Sequence, residues 1–269
     1  MVHEVVPGVW FRDAEPEKRI IANSGWVVFR DWVVVIDANF PWGARPLIED
    51  VRRTTDKPIR FVFNTHYHSD HAFGNSVFVD AGAAIIGSEE SAAESVELNP
   101  AAWKGDDLKP YRLVHPHIAF RDKLAIDDGS QRLELLRVGP AHTRGDAVAW
   151  LPKGRVLFTG DLVVNRRGSN YTGDPGADPD GWVRVLDSLA QREAAIVAPG
   201  HGAQGSVETI RGNRNYLAAI ITGVREAIAR GIPVEQVEQQ LDLSRHQPWA
   251  GDPERNRTSI RAFYAKLKR

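Results

Sequence analysis

Ile59-Arg60-Phe61-Val62-Phe63-Asn64-Thr65-His66-Tyr67-His68-Ser69-Asp70-His71 is the stretch that decides the reading of this chain. Its first five residues have the length and apolar content of a short buried strand. The strand ends in four side chains able to ligate a metal within six residues: His66, His68, Asp70 and His71. In an extended segment His66 and His68 project to the same side, because side chains alternate along a strand. Asp70 and His71 follow where the chain turns, so they face the same space from another direction. One ion rarely takes four ligands from six consecutive residues, and the crowding points to two metals.

Outward from this stretch, the N-terminal side reads as strands at residues 5–12, 23–30 and 32–38, then an amphipathic helix at 44–55. On the C-terminal side short strands are expected at 75–79 and 84–87. A helix at 88–102 begins at a Ser-Glu-Glu cap. Residues 99–116 are polar and the least definite. Four strands at 124–126, 132–138, 147–151 and 155–158 are separated by Asp-Gly and Pro-Lys-Gly turns. A loop at 165–178 leads to a helix at 182–192, a strand at 195–198, and helices at 207–230, 234–241 and 256–268. Strands and helices occur in both halves, which argues for a layered α/β structure with two sheets face to face and helices outside.

Three further segments put a ligand-type residue after an apolar strand, where layered α/β folds open their ligand crevices. They are Ala141-His142-Thr143-Arg144-Gly145-Asp146, Thr159-Gly160-Asp161 and Pro199-Gly200-His201-Gly202. With the first cluster the inventory becomes five histidines and two aspartates, which suits two divalent ions sharing a carboxylate. The chain has no Cys, so thiolate ligands, disulfides and a cysteine nucleophile are excluded.

Composition narrows the function further. Thirty-four basic and thirty-five acidic residues leave the chain nearly neutral, without the field that nucleic acid or an acidic membrane demands. No run has the apolar length of a transmembrane helix. The first residues lack a basic and apolar leader pattern, which favours the cytoplasm, or the periplasm if a signal peptide has been removed. The expected partner is a small-molecule substrate.

The His-Xaa-His-Xaa-Asp-His segment, with His-Thr-Xaa-Gly-Asp, Thr-Gly-Asp and Gly-His-Gly, resembles the metallo-β-lactamase superfamily over nearly the whole chain. The resemblance implies a single domain over residues 1–269, an αββα sandwich of two mixed β-sheets with helices on both outer faces. It implies that His66, His68 and His142 hold one metal and Asp70, His71 and His201 the other, with Asp161 bridging. Asp37, Thr143 and Asp146 would orient ligand imidazoles from behind. Two Zn²⁺ are the expected cofactors, with iron or manganese as substitutes.

The implied function is a dinuclear zinc-dependent hydrolase whose metal-bridging hydroxide attacks an ester, thioester, lactone or β-lactam carbonyl. Asp70 and Asp161 are the proton acceptors in the ligand set. Asp161 stands where antibiotic-destroying lactamases carry Cys or another residue. A bridging Asp there resembles the hydroxyacylglutathione hydrolases, lactonases and phosphodiesterases. The His66–Asn75 segment is also similar to zinc hydrolases of quinoprotein and sulfur-oxidation gene clusters. Two departures count against the quorum-sensing lactonases and RNA-processing members. Residues 163–167 lack the expected tyrosine, and the chain lacks an extra domain. Ala141 also replaces the usual Gly. The alternatives are a phosphodiesterase using the same centre and a mononuclear iron persulfide dioxygenase-like enzyme. Substrate contacts are expected from the loop after Asp161, with Arg166 or Arg167 meeting a carboxylate and Tyr171 donating to an oxyanion.

Overall fold

The structure is a computed structural model and describes residues 1–166, 168 and 172–268. A seven-stranded sheet runs in chain order from β1 to β7: β1 (Val2–Val6), β2 (Val9–Arg12), β3 (Ser24–Val28), β4 (Val33–Ile36), β5 (Ile59–Phe63), β6 (Ala84–Ser88) and β7 (Ile118–Phe120). Its first three pairings are antiparallel and its last three parallel. A five-stranded sheet has the order β12-β11-β10-β9-β8. Its strands are β8 (Lys123–Asp127), β9 (Arg132–Arg137), β10 (Ala147–Leu151), β11 (Val156–Asn165) and β12 (Ile196–Gly202). Only β11 and β12 pair in parallel.

Alternation along the strands explains why the sheets stack. Phe11, Val27, Phe29, Val34, Ile36 and Phe63 of the first sheet meet Leu133, Leu135, Ala149, Leu151 and Phe158 of the second in one buried cluster. The opposite faces bury against helices. Trp26, Val33, Val35, Val62 and Ile85 pack on α1 (Pro41–Thr54) and α3 (Asn75–Asp80). Val148, Leu157, Val163 and Val197 pack on α5 (Pro179–Ala190), α6 (Val207–Ala229), α7 (Val234–Gln240) and α8 (Pro253–Leu267). Each fully buried aliphatic or aromatic side chain contributes roughly 1.5–3 kcal/mol. Three apolar interfaces between four layers make the αββα sandwich.

Two backbone bonds stitch the sheets together at one end. Ala147 N–H donates to Thr65 O at 2.9 Å, and Asn23 N–H donates to Gly200 O at 2.8 Å. The metal-ligand candidates gather at this end.

Several local expectations change. Residues 5–12 form two strands of a hairpin, because Pro7 and Gly8 turn the chain. Residues 75–79 are helical rather than extended. Their valines favour a strand locally, but the helix carries Phe78 into the α1 side of the core. β7 was not expected, and its exposed Ile118 and Ala119 give it little strand signature. β11 continues past Asp161 to Asn165 instead of ending there. The polar 99–116 segment holds the end of α4 (Glu89–Ala102) and one short 3-10 turn.

Candidate metal centre

The loop after β5 is locked before any ligand is placed. Asn64 and Asn75 exchange side-chain hydrogen bonds at 3.1 and 2.9 Å, and Asn64 Nδ2 donates to His71 O. Thr65 N–H donates to Asp37 Oδ1 at 2.8 Å. His68 then caps α2 (Ser69–Ala72), so Asp70 and His71 sit in one short helical turn facing back toward His66. Asp161 lies where the β11–β12 ladder shifts register, between the Gly160–Pro199 and Val164–His201 pairs. Such irregularities re-aim a side chain. Gly200 gives the carboxylate its room, since a Cβ there would stand 2.0 Å from Asp161 Oδ1.

All seven predicted ligands converge. Three groups have their ligand atoms within 4.8 Å of one another: His66, His68 and His142; His66, His71 and Asp161; Asp70, His71 and His201. His142 Nε2 is 3.1 Å from His68 Nδ1 and 3.8 Å from Asp161 Oδ2. Asp161 Oδ1 lies 3.3 Å from both His71 Nε2 and His201 Nε2, and Asp70 Oδ2 lies 3.2 Å from His201 Nε2. His66 Nε2 is buried with no hydrogen-bond partner. A buried nitrogen left so is costly unless something else takes its lone pair, and a cation among these donors would. Imidazole and carboxylate donors without thiolate suit zinc, and also iron or manganese.

The electrostatics divide the site. Burial, then the neighbouring His71, His68 and His142, hold His66 well below the usual imidazole range; burial and His68 push His142 down to about 3. Both are neutral and offer lone pairs. On the other side burial opposes ionisation but the partners outweigh it. His71 is raised well above its ordinary value by Asp37, Asp70 and Asp161, and His201 is raised to about 9 by Asp161 and Asp70. Asp161 is held well below the carboxylate range by His201 and His71 against the effect of burial. The carboxylates thus favour protons on His71 and His201, and a cation held by these nitrogens would have to displace them.

The outward nitrogens are anchored, which fixes ring orientation and tautomer. Asp37 Oδ2 meets His71 Nδ1 at 2.8 Å, Thr65 Oγ1 meets His66 Nδ1 at 3.0 Å, and the Ile21 carbonyl meets His201 Nδ1 at 3.1 Å. Asp174 Oδ2 meets His68 Nε2 at 2.8 Å and also accepts from Tyr67 Oη, so His68 Nδ1 faces the centre. Asp37 thus stands as expected behind an imidazole. Thr143 and Asp146 bond each other, Thr143 N–H and Oγ1 donating to the carboxylate, and reach no imidazole; they close the turn that carries His142. Thr65, Ile21 and Asp174 were not anticipated. Asp174 reads in sequence as an ordinary turn residue beside Pro175 and Gly176, and a backbone carbonyl such as that of Ile21 has no sequence signal.

A cleft of about 670 Å³ opens over the centre. Ile21, Leu98, Ala101 and Ala102 form an apolar wall, and Arg166 and Arg255 a basic one. The buried Arg166 Nε has no hydrogen-bond partner, and burial followed by Arg255 lowers the guanidinium's pKa. Arg167 and Tyr171 lie outside the described residues. His115 and His117 bond Ser95 and the Ile85 N–H, away from the centre, as polar residues of no special role would. Trp249 packs in the core and donates to the Val164 carbonyl.

With the site assembled on a two-sheet sandwich, comparison with known proteins gives the class. The model of the metallo-beta-lactamase superfamily matches residues 18–201, and the chain belongs to that superfamily. Among curated relatives, the linear primary-alkylsulfatase of a Pseudomonas species is 23% identical over 249 residues, covering 76% of this chain and 46% of that protein. The chain therefore spans about half the length of that relative. Metallo-beta-lactamase IND-1 of Chryseobacterium indologenes is 25% identical over 192 residues, covering 68% of this chain and 73% of the relative. A solved metallo-beta-lactamase from Pontibacter korlensis superposes with a TM-score of 0.67 at 23% identity, covering 81% of this chain and 98% of that one. DIM-1 metallo-beta-lactamase gives 0.65 at 21% identity, over 81% and 96%. These structures share the fold. No helix among the described residues is long and apolar enough to cross a membrane.

Proposed function

We propose that residues 1–269 form one domain acting as a dinuclear zinc-dependent hydrolase on a small molecule with an electrophilic carbonyl: an ester, thioester, lactone or lactam. The observation that carries this reading is the division of seven side chains into two interlocking sets around Asp161. His66, His68 and His142 would hold one ion, Asp70, His71 and His201 the second, and Asp161 would reach both. The names of the relatives, an alkylsulfatase and β-lactamases, are those of hydrolases and support the reaction class.

When bound, two such ions supply a nucleophilic hydroxide near neutral pH and a Lewis acid for the carbonyl oxygen. The chain's own contribution is placement and proton handling. Asp70 and Asp161 are the two carboxylates of the set and would be its proton acceptors. Arg166 meets a negatively charged group on the substrate, and Leu98, Ala101 and Ala102 exclude water from its apolar part. Asp161, a carboxylate rather than a thiolate, favours the thioesterase and lactonase branches over the antibiotic-destroying one.

The deciding experiment measures metal content and a rate panel on the same preparation. Protein purified without added metal carries about two zinc per chain. It hydrolyses at least one of a carboxylic ester, a thioester, a lactone and a chromogenic cephalosporin faster than a sulfate ester or a phosphodiester. One iron per chain with oxygen consumption on a persulfide overturns the hydrolase reading in favour of a dioxygenase.

A further inference from the structure

Helix α4 is tied to both halves of the first ligand set by side chains that bond backbone groups rather than imidazoles. Glu94, 1% exposed, aims its carboxylate at the turn that carries His142. Oε1 accepts from Arg144 N–H at 3.0 Å and Oε2 from Gly145 N–H at 2.9 Å. Ser88 Oγ, at the head of the same helix, donates to Gly145 O at 2.6 Å. The turn lies so close to the helix that a Cβ on Gly145 would stand 2.1 Å from Ser91 N. One turn beyond Glu94, the Asn99 amide donates to the Tyr67 carbonyl at 3.0 Å, between His66 and His68. The residues between and just beyond these tethers, Leu98, Ala101 and Ala102, are the apolar wall of the cleft.

We propose that Glu94 is a positioning residue for the His66–His68–His142 set. Its two bonds to backbone N–H groups set the His142 turn against α4, while Asn99 sets the His66–His68 segment against the same helix. Substrate wall and first metal position therefore move as one body. Among the described residues no hydrogen bond joins Asp70, His71 or His201 of the second set to α4; that set is braced instead by Asp37 and Ile21, outside this clamp. The inference rests on the two-metal reading.

The clamp is sensitive to protonation. Protonation removes the charge and makes one oxygen a hydroxyl, a poorer acceptor for the N–H it faces, so one tether weakens. The charged groups around Glu94 are Arg144, with Nε 3.9 Å from Oε1, Asp174 from the loop before α5, Asp146 in the clamped turn, and Glu90 and Glu97 on its own helix. Burial, reinforced by Asp174, lifts Glu94 to about 7 against the backbone bonds. Glu94→Gln permanently imitates the protonated clamp, since its amide also presents a donor to one N–H.

The test is zinc affinity by chelator competition on wild type, Glu94→Gln and Asn99→Ala, from pH 6 to 8, with cobalt absorption reporting each site. If wild type binds fewer than two ions, the two-metal reading fails and the inference with it. If it binds two, Glu94→Gln is expected to weaken one ion by roughly 10- to 100-fold at pH 8 and leave the other unchanged. The difference from wild type shrinks toward none at pH 6. Asn99→Ala weakens the same ion, and carries the test should Glu94→Gln not fold. Two ions held equally tightly by wild type and variants, or equal loss of both, overturns the proposal.

Discussion

Asp37 Oδ2 lies 2.8 Å from His71 Nδ1, delivered there by a backbone in the left-handed region at φ 62°. Few residues other than Gly, Asn and Asp adopt that conformation without strain. The same carboxylate accepts from the N–H and hydroxyl of Thr65, so it fixes the start of the ligand loop and one imidazole together. Asp37→Ala would leave these buried donors unsatisfied. We expect a stability loss of roughly 2–4 kcal/mol in urea unfolding, and weaker zinc binding at the His71 side. Unchanged stability would show that the Asp37 bonds are replaceable by water.

Asp174 holds His68 from behind, and its removal should free the imidazole to rotate. Asp174→Ala is expected to lower zinc affinity by roughly 10- to 100-fold. Tyr67→Phe should cost much less, because the Asp174–His68 bond remains. Chelator competition on the two variants separates them; a larger effect from Tyr67→Phe would contradict this order.

Gly200→Ala tests the close approach beneath Asp161. The new methyl would meet Asp161 Oδ1 at 2.0 Å and the Gly160 carbonyl carbon at 2.8 Å, and the carboxylate has to move. A displacement near 1 Å costs on the order of 100-fold in rate, so turnover should fall by at least that much with circular dichroism unchanged. Near-normal turnover would remove Asp161 from the reaction.

The alkaline loss of stability should disappear with metal. In the metal-free protein His201, with an ordinary pKa of 6.5, is raised to about 9, and His71 is raised as well. Their protonated forms stabilise the fold fully below about pH 6.5, and that contribution is lost as pH rises through about 9. Chelator-stripped protein should therefore melt at a lower temperature at pH 9.5 than at 6.5. Zinc-loaded protein should not show this fall, because the ion replaces the protons. Parallel melting curves for the two forms would refute the assignment.

Much of the centre was legible because ligand chemistry leaves few choices of residue. Without Cys, a metal site must draw on His, Asp and Glu, and the His66 to His71 spacing concentrates four of them after an apolar strand. The limits of β5 are legible because its five-residue run is too short for a helix and lies between a helix and a turn. The helix at 75–79 is hidden in the sequence, because its valines carry a strand preference that packing through Phe78 overrides. Asp161 was expected at the end of a strand. It lies inside one, because a register shift is a property of two strands and neither sequence records it.

The sequence by itself determined the inventory of candidate ligands, the strand that delivers its first half and the alternation of apolar residues that stacks two sheets. These depend on residue type and short-range period. Only the tertiary structure decided which groups stand behind the imidazoles. Asp174 reaches His68 across 106 positions and the Ile21 carbonyl reaches His201 across 180. Glu94 became visible as a clamp only when helix and turn were packed together. Such contacts arise from the meeting of distant segments, where a buried donor must find an acceptor, and no local pattern announces which one it will be.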